Sequence, residues 1–272
     1  MKDDPNYFVD ERTILVADSL ETLQKLAHLH RKTLGLPVIA LTGSNGKTTT
    51  KELIAAVLSK KFRTIATKGN LNNHIGVPLT LLSFTKETEI GIVEMGANHQ
   101  KEIEFLCSLA EPDYGYITNF GKAHLEGFGG FEGVILGKSE LYTHLFTHDK
   151  MIFINIDDPI QVEKASNHQY YSFSLQQKKG DVQFSEVSAN PFVTVNYNNE
   201  VIQSHLIGLY NATNICAAIT IGNYFKVPEK FLAFIDKALG LKQELVDIEL
   251  ALVDGRYLAA SYMPYFKEDA FA

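Results

Sequence analysis

Thr42-Gly43-Ser44-Asn45-Gly46-Lys47-Thr48-Thr49 brings together the residue types that bind a chain of phosphates. Glycines let the backbone come close to a phosphate and turn its N–H groups inward. A helix that starts at such a turn adds the partial positive charge of its N-terminus. Lys47 is placed to reach the terminal phosphates, and the Thr48 hydroxyl is a suitable magnesium ligand. The common motif puts four residues between its glycines; here only Ser44 and Asn45 intervene. The plainer reading is a glycine helix cap followed by a stray lysine. The flanks argue against it. An apolar run at residues 37–41 reads as a buried strand, and Leu53, Ile54, Val57 and Leu58 recur at helical spacing.

Further along, Glu94 ends another apolar run, residues 89–97. An acid at a strand end, downstream of a phosphate turn, holds magnesium directly or through water; the alternative is an exposed strand-end acid. Between the two runs lies a loop dense in asparagine, residues 69–78, with Asn72 and Asn73 at its centre. Turn chemistry explains such a loop, and so does a substrate-facing role at the carboxyl end of a strand. His124 follows a fourth apolar run, 113–120, in a glycine-rich loop. Lys138 lies within a helical pattern at 131–146. Taken alone, His124 reads as a surface histidine and Lys138 as a solvated lysine.

The elements that must position these residues alternate. Short strands are expected at 12–17, 37–41, 63–67, 89–97, 113–120 and 150–158. Asp18, with Glu21 as a capping-box partner, opens a helix that runs to Leu34 and is ended by Gly35 and Pro37. Other helices are expected after Gly46, at 99–110 and at 131–146. Strands alternating with helices predict an α/β fold with a mostly parallel sheet and helices on both faces. After residue 168 the pattern changes. Stretches 170–174, 182–188, 192–197 and 201–207, with an Asn198-Asn199 turn, predict a small antiparallel sheet. A helix at 211–225, another after Pro228 with Phe231, Leu232, Ile235 and Leu239 apolar, and a hairpin around Asp254-Gly255 complete the expectation.

Composition narrows the function classes. The 272 residues suffice for a sizeable core, and the net charge of −7 opposes a general nucleic-acid binder. The two cysteines, Cys107 and Cys216, form no zinc or disulfide framework and fit a reducing compartment. The polar N-terminus is not a secretory signal. Residues 205–225 carry no formal charge, but Asn211, Asn214 and Asn223 interrupt them, so a buried helix is expected rather than a membrane span. The expected setting is the cytoplasm, with no membrane or nucleic-acid partner.

The phosphate turn, the stretch 69–78, Val93-Glu94-Met95-Gly96-Ala97 and the stretch 119–128 together resemble the Mur ligase family over residues 13–235. These are ATP-dependent amide-forming enzymes of peptidoglycan precursor synthesis. The stretches 69–78, 93–97 and 119–128 are most like the branch that adds D-alanyl-D-alanine to a UDP-N-acetylmuramoyl-tripeptide. The resemblance implies that Thr42 to Thr49 bind ATP, with Lys47 on the terminal phosphates. It implies a first magnesium on Thr48 and Glu94 and a second held in part by His124. Lys138 matches a lysine that the family carries as a carbamate, an anionic metal ligand. Asn211 and Asn214 match asparagines near the adenine, although the family often has histidine in place of Tyr210. Asn72 and Asn73 would line the muramoyl-peptide side. A peptide carboxylate would be phosphorylated to an acyl phosphate and then attacked by the dipeptide's amine.

Family members have three domains, and on that pattern residues 1–35 are expected to be the remnant of an N-terminal substrate domain with its linker helix. Residues 36–240 would be the central ATP-binding domain, and 241–272 an unassigned tail without a recognisable C-terminal domain. Rival readings are a non-catalytic ATP-binding module of the family and another member such as a folylpolyglutamate synthase. The Lys47-Thr48-Thr49 continuation and the asparagine loop oppose the second. An unrelated P-loop hydrolase is opposed by the short turn, and a GTPase also by the lack of an Asn-Lys-x-Asp segment.

Overall fold

The computed structural model describes residues 13–165, 167–176 and 179–232, and two short strands beyond them. The chain divides into two compact units, Met1–Ala238 and Leu239–Ala272.

Asp18 is extended, with φ −144°, and its carboxylate accepts from the Glu21 N–H at 2.8 Å, which starts α1 (Ser19–Leu34). Gly35, at φ 61°, ends it. The strand expected just before α1 does not form. Only an isolated bridge occurs at Leu15, and Ile14 and Leu15 are 63% and 51% exposed. Side chains this exposed gain little apolar burial from a ladder.

Next come β1 (Val38–Thr42), α2 (Lys47–Leu58), β2 (Thr64–Ala66), α3 (Gly76–Leu82), β3 (Ile90–Glu94), α4 (Glu102–Ala110), β4 (Tyr114–Ile117), α5 (Leu125–Phe128) and α6 (Phe131–Thr147). After these come β5 (Met151–Asn155), α7 (Pro159–Ala165), β6 (Tyr170–Ser174) and β7 (Val182–Gln183). The sheet order is β2-β3-β1-β4-β5-β6-β7, with every pairing parallel. Alternate residues face opposite ways. Val38 and Ala40 of β1 join one core with Ala27 of α1, Leu81 of α3, Leu106 of α4 and Leu141 of α6. Ile39 and Leu41 are equally buried but lie outside that core, on the face covered by α2 and α8 (Tyr210–Tyr224).

Besides α5, a single turn within the expected glycine-rich loop, two helices escape the periodicity reading. The asparagine loop ends early because Asn73 Oδ1 accepts from the N–H groups of Ile75 and Gly76, at 3.0 and 2.9 Å, and starts α3. Pro78 sits in the first turn, where its missing N–H has no intrahelical partner to lose. Likewise Asp158 accepts from Ile160 and Gln161 and starts α7 at Pro159. This second helix matters for topology. It provides the crossover that parallel pairing requires, so residues 170–174 extend the main sheet as β6, and β7 follows them. Both stretches were expected in the antiparallel sheet.

That smaller sheet contains β8 (Ser185–Ala189), β9 (Phe192–Tyr197) and β10 (Glu200–Ile207), in the order β10-β9-β8. Its hairpin turns at Asn198 and Asn199, both at positive φ, 51° and 64°. The expected helix after Pro228 begins as α9 (Glu229–Leu232); Ile235 and Leu239 lie outside the described residues. In the second unit β11 (Leu252–Val253) pairs antiparallel with β12 (Arg256–Tyr257), while the expected turn residues Asp254 and Gly255 lie outside the described residues. Among the described residues no helix is long and apolar enough to cross a membrane.

Candidate functional site

In the sheet, β1 lies between β3 and β4, where the strand order reverses, and ligands of open α/β sheets bind at the carboxyl ends of the strands there. The phosphate turn leaves β1 at this point. Gly43 has φ 144°, and a Cβ on it would lie 2.0 Å from Thr118 Oγ1. Gly46 has φ 76°, and a Cβ there would meet Asn214 Oδ1 at 2.8 Å. Neither position has room for a side chain unless its neighbours shift.

The end of β4 grips the turn. Asn119 accepts from the Asn45 N–H through Oδ1 at 3.2 Å and donates back to the Asn45 carbonyl at 3.0 Å. Its own carbonyl accepts from the Ser44 N–H at 3.1 Å, and the Thr118 hydroxyl donates to the Asn45 carbonyl at 2.6 Å. Sequence reasoning gave Thr118 and Asn119 no role. The available signal was their place at the end of the strand beside β1. The first intrahelical bond of α2 is Thr50 N–H to the Gly46 carbonyl, at 2.8 Å. The N–H groups of Lys47, Thr48 and Thr49 come before it, at the helix end where anions bind.

Lys47 curls back over its own turn. Its Nζ donates to the Gly43 carbonyl at 2.9 Å and to the Ser44 carbonyl at 3.3 Å. Burial lowers its pKa, partly offset by the negative charge of Glu94. Glu94 ends β3 and is buried. Its Oε1 accepts from the Thr48 hydroxyl at 3.2 Å and from Asn72 Nδ2 at 2.7 Å. Its Oε2 is buried and has no hydrogen-bond partner among the described residues. A bare buried carboxylate oxygen beside a phosphate-turn hydroxyl fits magnesium, which takes one or two carboxylates and completes its shell with water and phosphate oxygens. Among the described residues there is no cluster of three or more His, Cys, Asp or Glu able to hold a metal unaided.

A cleft of about 560 Å³ opens beside these groups, lined among others by Lys47, Asn72, Asn73, His124, Gly96 and Ala97. His124 stands at φ 56°, at the start of α5. Lys138 reaches up from α6 behind the cleft wall. It is 2% exposed, donates to the Ala97 carbonyl at 3.1 Å and lies 5.0 Å over the Phe128 ring. Burial, and then the charge of Lys47, lowers its pKa to about 8.

The other expected residues lie apart from the cleft lining. Asn214 Oδ1 accepts from the Thr50 hydroxyl at 3.1 Å, and its Nδ2 donates to Asn211 Oδ1 at 2.9 Å. Asn211 in turn donates to the Ile207 carbonyl at 2.9 Å. This chain of bonds ties α8 to the back of the phosphate turn. Tyr210, at the start of α8, is 75% exposed.

Residues 41–222 match the family model of the Mur ligase middle domain. The chain is 36% identical over 264 residues to the UDP-N-acetylmuramoyl-tripeptide–D-alanyl-D-alanine ligase of Bacillus subtilis (strain 168), an alignment covering 94% of this chain and 57% of that relative. It is 44% identical over 137 residues to the ligase of the same name from Escherichia coli (strain K12), covering 50% and 30%. Among solved structures it is similar to MurF from Acinetobacter baumannii, with a TM-score of 0.72 and 34% identity over 84% of this chain and 51% of that one. It is also similar to the MurF ligase of Thermotoga maritima in complex with ADP, with a TM-score of 0.69 and 30% identity over 82% and 54%. The chain thus spans 57% or less of each of these proteins. The span matched by the family model runs from β1 into α8 and contains the turn, the asparagine loop, Glu94, His124 and Lys138. On that match the chain belongs to the Mur ligase family.

Proposed function

We propose that this chain carries the ATP site of an amide ligase that joins D-alanyl-D-alanine to a UDP-N-acetylmuramoyl-tripeptide in peptidoglycan precursor synthesis. One observation carries the reading. Thr48 of the phosphate turn and Asn72 of the asparagine loop meet on Glu94 beside a cleft that Lys47 and His124 also line. A phosphoryl-transfer site needs its phosphate cradle, its metal acid and its acceptor loop in one place. Residues 36–240 would be the ATP-binding domain, with 1–35 leading in from a substrate domain. ATP as phosphoryl donor and the buried free thiols of Cys107 and Cys216 fit work in the cytoplasm.

In this reading the free N–H groups at the start of α2 receive the phosphates. Lys47 exchanges its two carbonyl partners for the terminal phosphate and neutralises charge as the phosphoryl group moves. Asn72 and Asn73 orient the muramoyl peptide so that its carboxylate attacks in line. The carboxylate displaces ADP to form an acyl phosphate, and the dipeptide's amine then displaces phosphate to form the amide, losing a proton. Magnesium bound by Thr48, Glu94 and the nucleotide would neutralise the phosphate oxygens, and His124 and Lys138, as a carbamate, would help hold a second ion. The low pKa of Lys138 suits carbamate formation, since the neutral amine is the form that reacts with CO2. Asn211 and Asn214 would support the adenine end from α8.

The test begins with calorimetric titration of a non-hydrolysable ATP analogue with magnesium. Phosphate release is then measured with ATP, the UDP-linked tripeptide and D-alanyl-D-alanine. Release that needs both acceptor substrates is expected. Binding without release would assign the chain as a nucleotide-binding module, and no binding by the folded chain would overturn the reading.

A further inference from the structure

A second lysine on α2, Lys51, lies one turn beyond Lys47, and none of the roles above uses it. It is 0% exposed. A lysine ammonium has three N–H groups, and three acceptors meet it: the carbonyls of Thr67 and Gly69, at 2.6 and 3.0 Å, and Glu52 Oε1 at 2.7 Å. A buried charge so fully matched is costly to disturb, which raises the question of what it fixes.

The two carbonyls belong to the bend by which the chain leaves β2 for the asparagine loop. Gly69, at φ 54°, makes that bend. Thr67 is bonded to β3 on its other side. Its N–H donates to the Ile92 carbonyl at 2.9 Å, and its Oγ1 accepts from the Glu94 N–H at 3.0 Å. Three residues past Gly69, Asn72 closes the path. Its carbonyl accepts from the Gly96 N–H at 2.7 Å while its side chain binds Glu94 Oε1. A continuous chain of bonds therefore runs from α2 through Lys51 and Thr67 to Glu94, and through Gly69 to Asn72. It returns to α2 through the Thr48 hydroxyl on Glu94.

We propose that Lys51 is a positioning residue that clamps the 67–69 bend to the phosphate helix. The clamp keeps Asn72 and Glu94 in register with Thr48, and so couples the nucleotide side of the cleft to its acceptor side. The proposal rests on the reading of the cleft as an ATP site. Lys51 touches no part of the cleft itself; it acts through the bend.

The test compares the chain with Lys51→Met and Lys51→Gln by hydrogen exchange and by titration of an ATP analogue with and without magnesium. In Lys51→Met, amides 68–74 should exchange at least about tenfold faster while β4 and β5 keep their rates. The gain in analogue affinity given by magnesium should fall about tenfold, with the magnesium-free affinity unchanged within about twofold. Lys51→Gln keeps one donor and should fall between the two; it carries the test if the methionine variant does not fold. Faster exchange throughout the fold, including β4 and β5, would mean that Lys51 only stabilises the molecule and would overturn the proposal. Unchanged exchange at 68–74, or faster exchange there with the magnesium gain intact, would also overturn it. If the parent chain binds no analogue, the ATP reading fails, and the exchange measurement still decides whether the clamp exists.

Discussion

Thr48 in the first turn of α2 and Asn72 in the asparagine loop donate to one oxygen of Glu94, at 3.2 and 2.7 Å, and the other oxygen is buried and bare among the described residues. The carboxylate is thus fixed in orientation with one coordination position to spare. Glu94→Gln keeps the shape and removes the charge. The variant should stay folded, keep its magnesium-free affinity for an ATP analogue and lose most of the gain that magnesium gives, about tenfold or more. Titrations with magnesium and with EDTA read this directly. A magnesium gain as large as in the parent would remove Glu94 from the metal site.

Lys138 gives a pH signature. Its pKa in the folded chain is about 8, below the ordinary 10.5, because burial and the Lys47 charge outweigh the nearby Glu102 and Glu140. Between these values the unfolded chain binds more protons than the folded one, so stability rises with pH across that window. Below pH 8 the cost of the buried ammonium is fully present, and above 10.5 it is gone. The cost is about 3 kcal/mol. Denaturant unfolding at pH 7.5 and 10 should show Lys138→Met ahead of the parent at the lower pH, with the gap narrowing at the higher. A gap independent of pH would contradict the lowered pKa. Separately, NMR of the folded proteins with ¹³C-labelled bicarbonate should give a carbamate resonance in the parent and none in the variant.

Much of this site was legible in the sequence because its signals are local. β1 is buried at every position, and the turn after it needs glycine twice for steric reasons that the sequence spells out. Glu94 announces itself as the acid that ends a buried strand. What escaped was short or distant. α3 and α7 have too few residues for a period to appear, and each has proline in its first turn. Without α7 the crossover to β6 was invisible, so a parallel strand was assigned to the antiparallel sheet. Asn119 grips Asn45 from 74 residues away, and Lys51 looks like any helix-surface lysine until the 67–69 bend is laid over it. Asn73 could be read as turn chemistry or as a substrate contact. Its cap on α3 is the first, and its place in the cleft leaves the second open to test.

Gly43→Ala tests the close approach of the turn to β4. An added Cβ would lie 2.0 Å from Thr118 Oγ1, at a φ of 144° that side chains rarely adopt. Relief requires breaking the Thr118–Asn45 bond that holds the turn. Destabilisation of about 2–4 kcal/mol is expected from strain plus the lost hydrogen bond. The double variant with Thr118→Ala should recover part of it, since the Cβ then meets no hydroxyl. Denaturant unfolding of the two single variants and the double variant measures the coupling. A mild effect of Gly43→Ala, with no recovery in the double variant, would mean that the turn has room to shift.

Lys47→Ala separates binding from folding. The lysine is partly buried, its pKa is lowered by that burial, and its hydrogen-bond acceptors among the described residues are the carbonyls of Gly43 and Ser44. Removing it relieves the cost of a poorly solvated ammonium and takes a donor from the carbonyls of two buried residues, so the two effects oppose each other. Stability should change by less than about 1 kcal/mol. Nucleotide affinity should behave otherwise. The ammonium is the group placed to leave those carbonyls for a terminal phosphate, and losing a charge-assisted bond of that kind lowers affinity by about tenfold to a hundredfold. The deficit should be larger for an ATP analogue than for ADP if, as proposed, Lys47 takes the terminal phosphate. Parallel titrations of both nucleotides, with unfolding curves for each protein, test the claim. Equal losses for ATP analogue and ADP would put Lys47 on the inner phosphates, and unchanged binding of both would remove it from the cradle altogether.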